Sequence, residues 1–255
     1  MNLNFSEPVD HILLRAGFCS DRSFKTFIRT HKVEICRQNN SENPEKENVV
    51  SRKILVDNDF DSIFVDGKLL ELPEHLYIIL NKPVDVVCSR VSDSHKTVFD
   101  FLPDSIKNHP LYEHLHVAGR LDSDSRGLVF LTTNGYFSAS LARPETHVEK
   151  NYEVRLRDSV SLEMQMEYKK KFEEGFEIPP EKKGEAFFSK PAKIFFEDSK
   201  IIVKISEGKF HQVRRMFSAL GNQVTDLKRV SIGGILLPES LLEGEMKVLR
   251  REDFV

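Results

Sequence analysis

The chain has 255 residues, 40% of them hydrophobic, and a formal net charge of −3 from 37 basic and 40 acidic side chains. That length holds one large domain or a small one plus a medium one, with enough apolar material for a real core. No apolar run approaches the roughly 18 residues of a membrane span, the start MNLNFSEPVDH lacks a basic region followed by a hydrophobic core, and Cys19, Cys36 and Cys88 form no CxxC pair; these features argue against a membrane protein, an exported one, a disulfide framework and a zinc site, and fit a cytoplasmic protein.

Residues 9 to 35 read as two short helices and a strand. Leu13, Leu14 and Phe18, then Phe24, Phe27 and Ile28, recur at helical spacing, with Gly17 closing the first helix and Ser20 placed to cap the second. Val33-Glu34-Ile35 opens a strand. From Arg15 to Arg37 there are six basic residues against two acidic, and Arg22, Lys25, Arg29 and Lys32 recur at spacings of three and four, which predicts one helix face for contacting phosphates. A polar insertion, QNNSENPEKENVV near 38–50, follows. Ile54 to Val56 and Ile63 to Val65 read as further strands, and Leu70 to His75, with its proline, as a linker.

A second region opens with the apolar strand YIILNKP, in which Asn81-Lys82-Pro83 marks a turn, and continues through HKTVFDFL, a helix or turn packed by Val98, Phe99, Phe101 and Leu102. Leu128 to Leu131 form a short apolar run closed by Asn134-Gly135, a buried strand ending in a turn. Before it lies a polar loop, Arg120 to Gly127, bracketed by Gly119 and Gly127, which can be tight and sit close to a ligand. Asp122 in that loop is placed to act as a nucleophile or base; loop chemistry alone favours the plainer reading, that its acidic and serine side chains bond loop amides.

Asn134 is placed to cap a helix from Gly135 to about Ala142, ended by Pro144, with Phe137 and Leu141 facing the core. Tyr152, Val154 and Leu156 alternate as in a half-buried strand, where a tyrosine is ordinarily a packing residue. Residues 161–175 read as a helix and Ile201 to Ile205 as a strand. A last helix from about Phe210 to Leu220 puts Val213, Met216, Phe217 and Leu220 on one face, Arg214 at its border and Arg215 toward solvent. Leu227, Ile232 and Leu237 then form a strand-turn-strand around Gly233-Gly234. From Lys209 to Arg229 there are five basic residues against one acidic. Either positive stretch alone is more often solvated surface than a binding site. The chain has no P-loop, no Rossmann fingerprint after a strand and no paired histidines on a helix.

GRLDxxSxGL ahead of an apolar run and a TxxG turn resembles the active-site motif of the RsuA-type rRNA pseudouridine synthases. KNYEV at Lys150 to Val154, then EGKFHQVRRMFSALGNQV running into LKRVSIGGILL, follow in that family's order, so the resemblance spans most of residues 75–255. YIILNKPVDVVCS, HKTVFDFL, Lys190 to Ala192 and HQVRRMF are most similar to the branch acting on small-subunit (16S) rRNA. The N-terminal pattern resembles the S4 RNA-binding module at Asp10, Gly17, Ser20 and Arg22, but the usual VNG turn is replaced by the polar insertion.

The resemblance implies an α+β protein, with a small N-terminal S4-like RNA-binding domain at 1–70 and a pseudouridine synthase domain at 71–255 whose mainly antiparallel mixed sheet is flanked by helices. It implies a cofactor-free isomerase, with no metal, that turns a specific uridine of 16S rRNA into pseudouridine. Asp122 would be the nucleophile or base, Tyr152 would pack on the target uracil, and Arg214 would pair with Asp122. Arg22, Lys25, Arg29, Lys32, Arg120, Lys150, Lys209, Arg215 and Arg229 are the expected RNA contacts. The expected partner is ribosomal RNA or a ribosomal-subunit assembly intermediate, met by a cytoplasmic monomer away from any membrane. Two alternatives are a large-subunit (23S) rRNA synthase and a non-catalytic RNA-binding or assembly factor, the latter disfavoured by the intact Asp122, Tyr152 and Arg214 set. A glycosidase would need a second carboxyl group, for which only Asp124 is at hand.

Overall fold

The structure, a computed structural model, describes residues 5–37, 46–57, 60–143, 146–181, 184–197 and 200–254. The chain divides into two compact units, one ending at His75 and the other beginning at Leu76. The division falls five residues beyond the expected boundary at residue 70. Leu70 and Leu72 pack against the core of the first unit, so the stretch expected to be a linker stays with it.

The first unit contains helices α1 (Val9–Arg15) and α2 (Phe24–Thr30) and an antiparallel sheet of β1 (Val33–Arg37), β2 (Lys46–Asn48), β3 (Asp61–Val65) and β4 (Lys68–Leu69), in the order β2-β1-β3-β4. Val9, Ile12, Leu13, Phe24, Ile35 and Ile63 fill its core. Gly17 takes a positive φ of 80°, which lets its amide reach Leu14 O and that of Phe18 reach Leu13 O, both at 3.0 Å, and α1 ends there as expected. Ser20 does not cap α2. The residue before the helix is Ser23, and the Ser20 hydroxyl accepts the Ser23 amide at 3.2 Å, fixing the turn that leads in. The first eight residues of the polar insertion, 38–45, lie outside the described residues, and its Lys46–Asn48 segment forms β2.

In the second unit β5 (Tyr77–Lys82), β6 (His116–Ala118), β7 (Arg126–Thr132), β8 (Lys150–Leu156), β9 (Lys193–Phe196), β10 (Ile201–Ile205), β11 (Val224–Ile232), β12 (Ile235–Leu236) and β13 (Met246–Val248) build a nine-stranded sheet. The order is β9-β10-β8-β11-β7-β5-β13, with β6 added to β7 and β12 to β11. Every pairing is antiparallel except that of β7 with β11. β7 sits inside the sheet, and Leu128, Val129, Phe130 and Leu131 are wholly buried, which is why the sequence there is continuously apolar and does not alternate. Helix α3 (Gly135–Ala142) starts as expected at Asn134, whose side-chain oxygen accepts the amides of Tyr136 and Phe137 at 2.9 and 3.0 Å. Pro144, expected to end it, is outside the described residues. Helix α4 (Leu162–Glu174) is capped by Ser161 and buries Tyr168 and Phe172.

Helix α5 (Gln212–Ala219) is shorter than its apolar pattern suggests, because His211 takes a left-handed backbone (φ 49°, ψ 29°) and stacks on Phe210 at 3.8 Å. Val213, Met216 and Phe217 face the core as expected.

Candidate active site

The parallel junction of β7 and β11 determines where the Asp122 loop can lie. Gly127 has φ 104°, and a Cβ there would stand 2.3 Å from Arg229 O, so only glycine lets the two strands pass this closely. The loop from Gly119 to Ser125 enters β7 just before this point, and its carbonyls are taken up by cations from three directions. Arg229, on β11 and 1% exposed, donates to Gly119 O (2.6 Å), Arg120 O (3.2 Å) and Leu128 O (2.8 Å). Lys82, at the end of β5 and wholly buried, donates to Pro83 O (2.8 Å) and Val86 O (2.7 Å) and reaches Ser123 O at 3.4 Å; burial pushes its pKa down, against the pull of nearby carboxylates. Arg214, on α5, donates to Asp124 O (2.8 Å), Val224 O (3.1 Å) and Ser125 Oγ (3.3 Å).

With the backbone held this way, Asp122 presents its carboxylate to solvent. Its side chain is 39% exposed, and His211 Nε2 lies 3.7 Å from its Oδ2. His211 Nδ1 lies 3.5 Å from Glu181 Oε2, so the imidazole stands between two carboxylates. Arg214 does not pair with Asp122 as expected. Its Nε sits 3.2 Å from Asp124 Oδ2, because the guanidinium enters the loop from the side on which the Asp124 and Ser125 groups face α5.

Asp122 and Tyr152 line one cavity of about 500 Å³, together with Arg120, Lys150, Lys209 and His211. Tyr152 and Lys150 reach it from the same face of β8, between β10 and β11, and each is more than nine-tenths buried. Burial first, and the Arg229 charge second, push the Lys150 pKa down to about 8 against the opposing pull of Glu207. A second hollow of about 610 Å³ adjoins it, with His211 in the wall of both and Arg214 only in the second.

The expected RNA contacts separate into two kinds. Arg22, Lys25, Arg29, Lys32, Arg120 and Lys209 are exposed. The first four do not share a helix face, since α2 carries only Lys25 and Arg29, with Arg22 in the turn before it and Lys32 beyond its end, paired with Glu34 at 2.8 Å. Arg215 and Arg229 are corrections. Arg215 is 6% exposed and donates to Pro179 O (2.7 Å), Glu185 O (2.6 Å) and Phe210 O (3.2 Å) beneath the Phe187 ring; Pro179, Glu185 and Phe187 thus cover the side of α5 that looked solvent-facing. Arg229 is spent on the loop carbonyls. His211 and Lys82 were missed. A lysine inside the apolar run YIILNKP was a signal that could have flagged Lys82, whereas nothing in FHQV announces a left-handed histidine.

The family model described as RNA pseudouridylate synthase matches residues 76–219. The chain belongs to this family. It is 38% identical over 208 residues to a Haemophilus influenzae protein named ribosomal small subunit pseudouridine synthase A, covering 81% of this chain and 84% of that one. It is 32% identical over 251 residues to a Bacillus subtilis protein named as an uncharacterized RNA pseudouridine synthase, covering 96% and 95%. A solved structure described as a pseudouridylate synthase superimposes with a TM-score of 0.62 at 35% identity over 97% of each chain. The mainly antiparallel sheet with flanking helices is therefore a pseudouridine synthase fold. Among the described residues of this family member, no helix is long and apolar enough to cross a membrane.

Proposed function

We propose that the chain converts one uridine of 16S ribosomal RNA to pseudouridine, with Asp122 as the reacting carboxylate. The observation that carries this reading is that Asp122, on a loop fixed through its backbone, holds its carboxylate toward a cavity it shares with Tyr152. The reaction breaks the N1 to C1′ bond, turns the base and rejoins it through C5. Asp122 serves either by attacking C1′ or by removing a proton from C2′, and the Tyr152 ring keeps the detached uracil from leaving. Arg214 and Arg229 act through the loop, each holding carbonyls that place Asp122, and His211 is the group beside the carboxylate itself.

To reach this cavity a uridine must leave its stack, at a cost of a few kcal/mol unless it is already unpaired. Contacts along the RNA offset that cost. Arg120 and Lys209 stand exposed at the cavity, and Arg22, Lys25 and Arg29 are exposed on the first unit, which we read as an S4-like RNA-binding module. Ribosomal RNA or an assembling small subunit, met in the cytoplasm by a monomer, is the substrate this reading implies.

The test is to map pseudouridine in rRNA from a strain lacking the gene. Loss at one 16S position is expected. Loss in 23S rRNA would move the substrate to the large subunit, and an unchanged map would overturn the reading.

A further inference from the structure

Lys150 opens β8 with its side chain on the Tyr152 face, and although only 8% exposed it lines the cavity. One of its ammonium protons goes to Val148 O at 3.2 Å. Among the described residues no carboxylate lies within ion-pair distance of it. Glu207, from the segment after β10, attracts it from further off, Arg229 on β11 repels it, and Asp122, Arg120, Lys209 and His211 share its cavity. Burying an ammonium this way works against folding, since an unpaired buried charge is costly and a methionine would fill the space without that cost. Lys82, Arg214 and Arg229 all end on loop carbonyls, whereas Lys150 has protons left for whatever enters.

The proposed reaction calls for such a group. When the N1 to C1′ bond breaks, its electron pair goes to N1 and spreads over O2 and O4, so the base is an anion until C5 bonds to C1′. We propose that the Lys150 ammonium contacts the detached uracil and stabilises that negative charge, making Lys150 a catalytic residue in addition to Asp122 and Tyr152. In the steps that follow, C5 bonds to C1′ as the Asp122 oxygen leaves it, or, in the elimination route, as C2′ takes back its proton from Asp122; C5 then loses its proton to water and N1 gains one. Lys150 keeps its own proton throughout, acting as a fixed charge beside the detached base. This inference rests on the pseudouridine synthase reading above.

Because burial and Arg229 hold its pKa at about 8, the free protein carries this charge below pH 8 and loses it above. With tritium release from C5-labelled 16S rRNA fragments as the assay, kcat/KM should fall above about pH 8, reporting the free enzyme. Lys150→Met should lower the single-turnover rate about 100-fold, leave the RNA Kd within about twofold and lack the falling limb. Lys150→Arg should retain rate and stay flat above pH 8, and it decides the matter if Lys150→Met fails to fold. Lys150→Met turning over at more than about a third of the wild-type rate, or keeping the limb, would overturn the proposal. A loss of RNA affinity in proportion to the loss of rate would make Lys150 a binding cation and overturn it equally. Wild type that forms no pseudouridine in any rRNA fragment would instead sink the reading of the protein as a synthase, a separate outcome.

Discussion

Arg22, Lys25 and Arg29 stand exposed on the first unit, with no carboxylate within ion-pair distance among the described residues, while Arg214, Arg215 and Arg229 on the second are largely buried and spend their protons on main-chain carbonyls. The first group is available to an outside polyanion, and the second is a scaffold for the catalytic loop. Charge density along a chain is therefore a poor guide to binding unless burial is known, because an arginine's fork of donors serves loop carbonyls as well as phosphates.

Arg229→Met removes three bonds from a side chain that is 1% exposed, so it should destabilise the second unit by about 3 kcal/mol or more and abolish turnover. Urea unfolding checks this, and a near-neutral result would return Arg229 to the RNA contacts. Within the first stretch Arg15, Lys32 and Arg37 are instead paired with carboxylates, and Arg15 grips Glu7 with two bonds of 2.8 Å. Burial by itself would raise the Glu7 pKa, but the Arg15 and His75 contacts outweigh it and hold the value at about 2, against 4.5 for the free side chain. A carboxyl depressed on folding stabilises above its unfolded pKa and loses that contribution as pH falls through the folded one, here between about 4.5 and 2. Glu7→Gln should therefore be less stable than wild type at pH 6, by on the order of 3 kcal/mol, and the gap should close toward pH 2. A gap independent of pH would contradict the ion pair.

Arg214→Ala loosens the Asp124 and Ser125 side of the loop. A shift of about 1 Å in Asp122 should cost about 100-fold in turnover with only about 1–2 kcal/mol of stability, separating placement from folding. Replacing Lys25 and Arg29 together should change stability by less than about 0.5 kcal/mol while lowering the slope of log Kd against log salt by roughly one per cation. An unchanged slope would show that RNA does not meet this face.

Much of this architecture is written locally. Asn134 caps α3, Gly17 ends α1, and the Leu128 to Leu131 run is an interior strand, all from patterns a few residues long. The loop bearing Asp122 and the strand bearing Tyr152 were legible through three ordered motifs. The destinations of long cationic side chains were not. Arg215 looked solvent-facing because its helix reveals one apolar face, and only Pro179, Glu185 and Phe187, some thirty residues earlier, make the other face interior. Arg214 and Asp122 lie 92 positions apart, and which acidic neighbour the guanidinium meets depends on how the loop turns, so Asp124 took the place expected for Asp122. His211 was hidden for a related reason. Its approach to Asp122 depends on a left-handed backbone at the residue just before the helix, which therefore begins at Gln212.

Asp122→Asn tests the central claim most directly, since the exchange is nearly isosteric and the loop is held through carbonyls that it leaves untouched. The purified variant should unfold at the same urea concentration as wild type and bind 16S rRNA fragments with the same affinity, yet release no tritium above background from C5-labelled uridine. Turnover at more than about a hundredth of the wild-type rate would contradict the assignment of Asp122 as the reacting carboxylate.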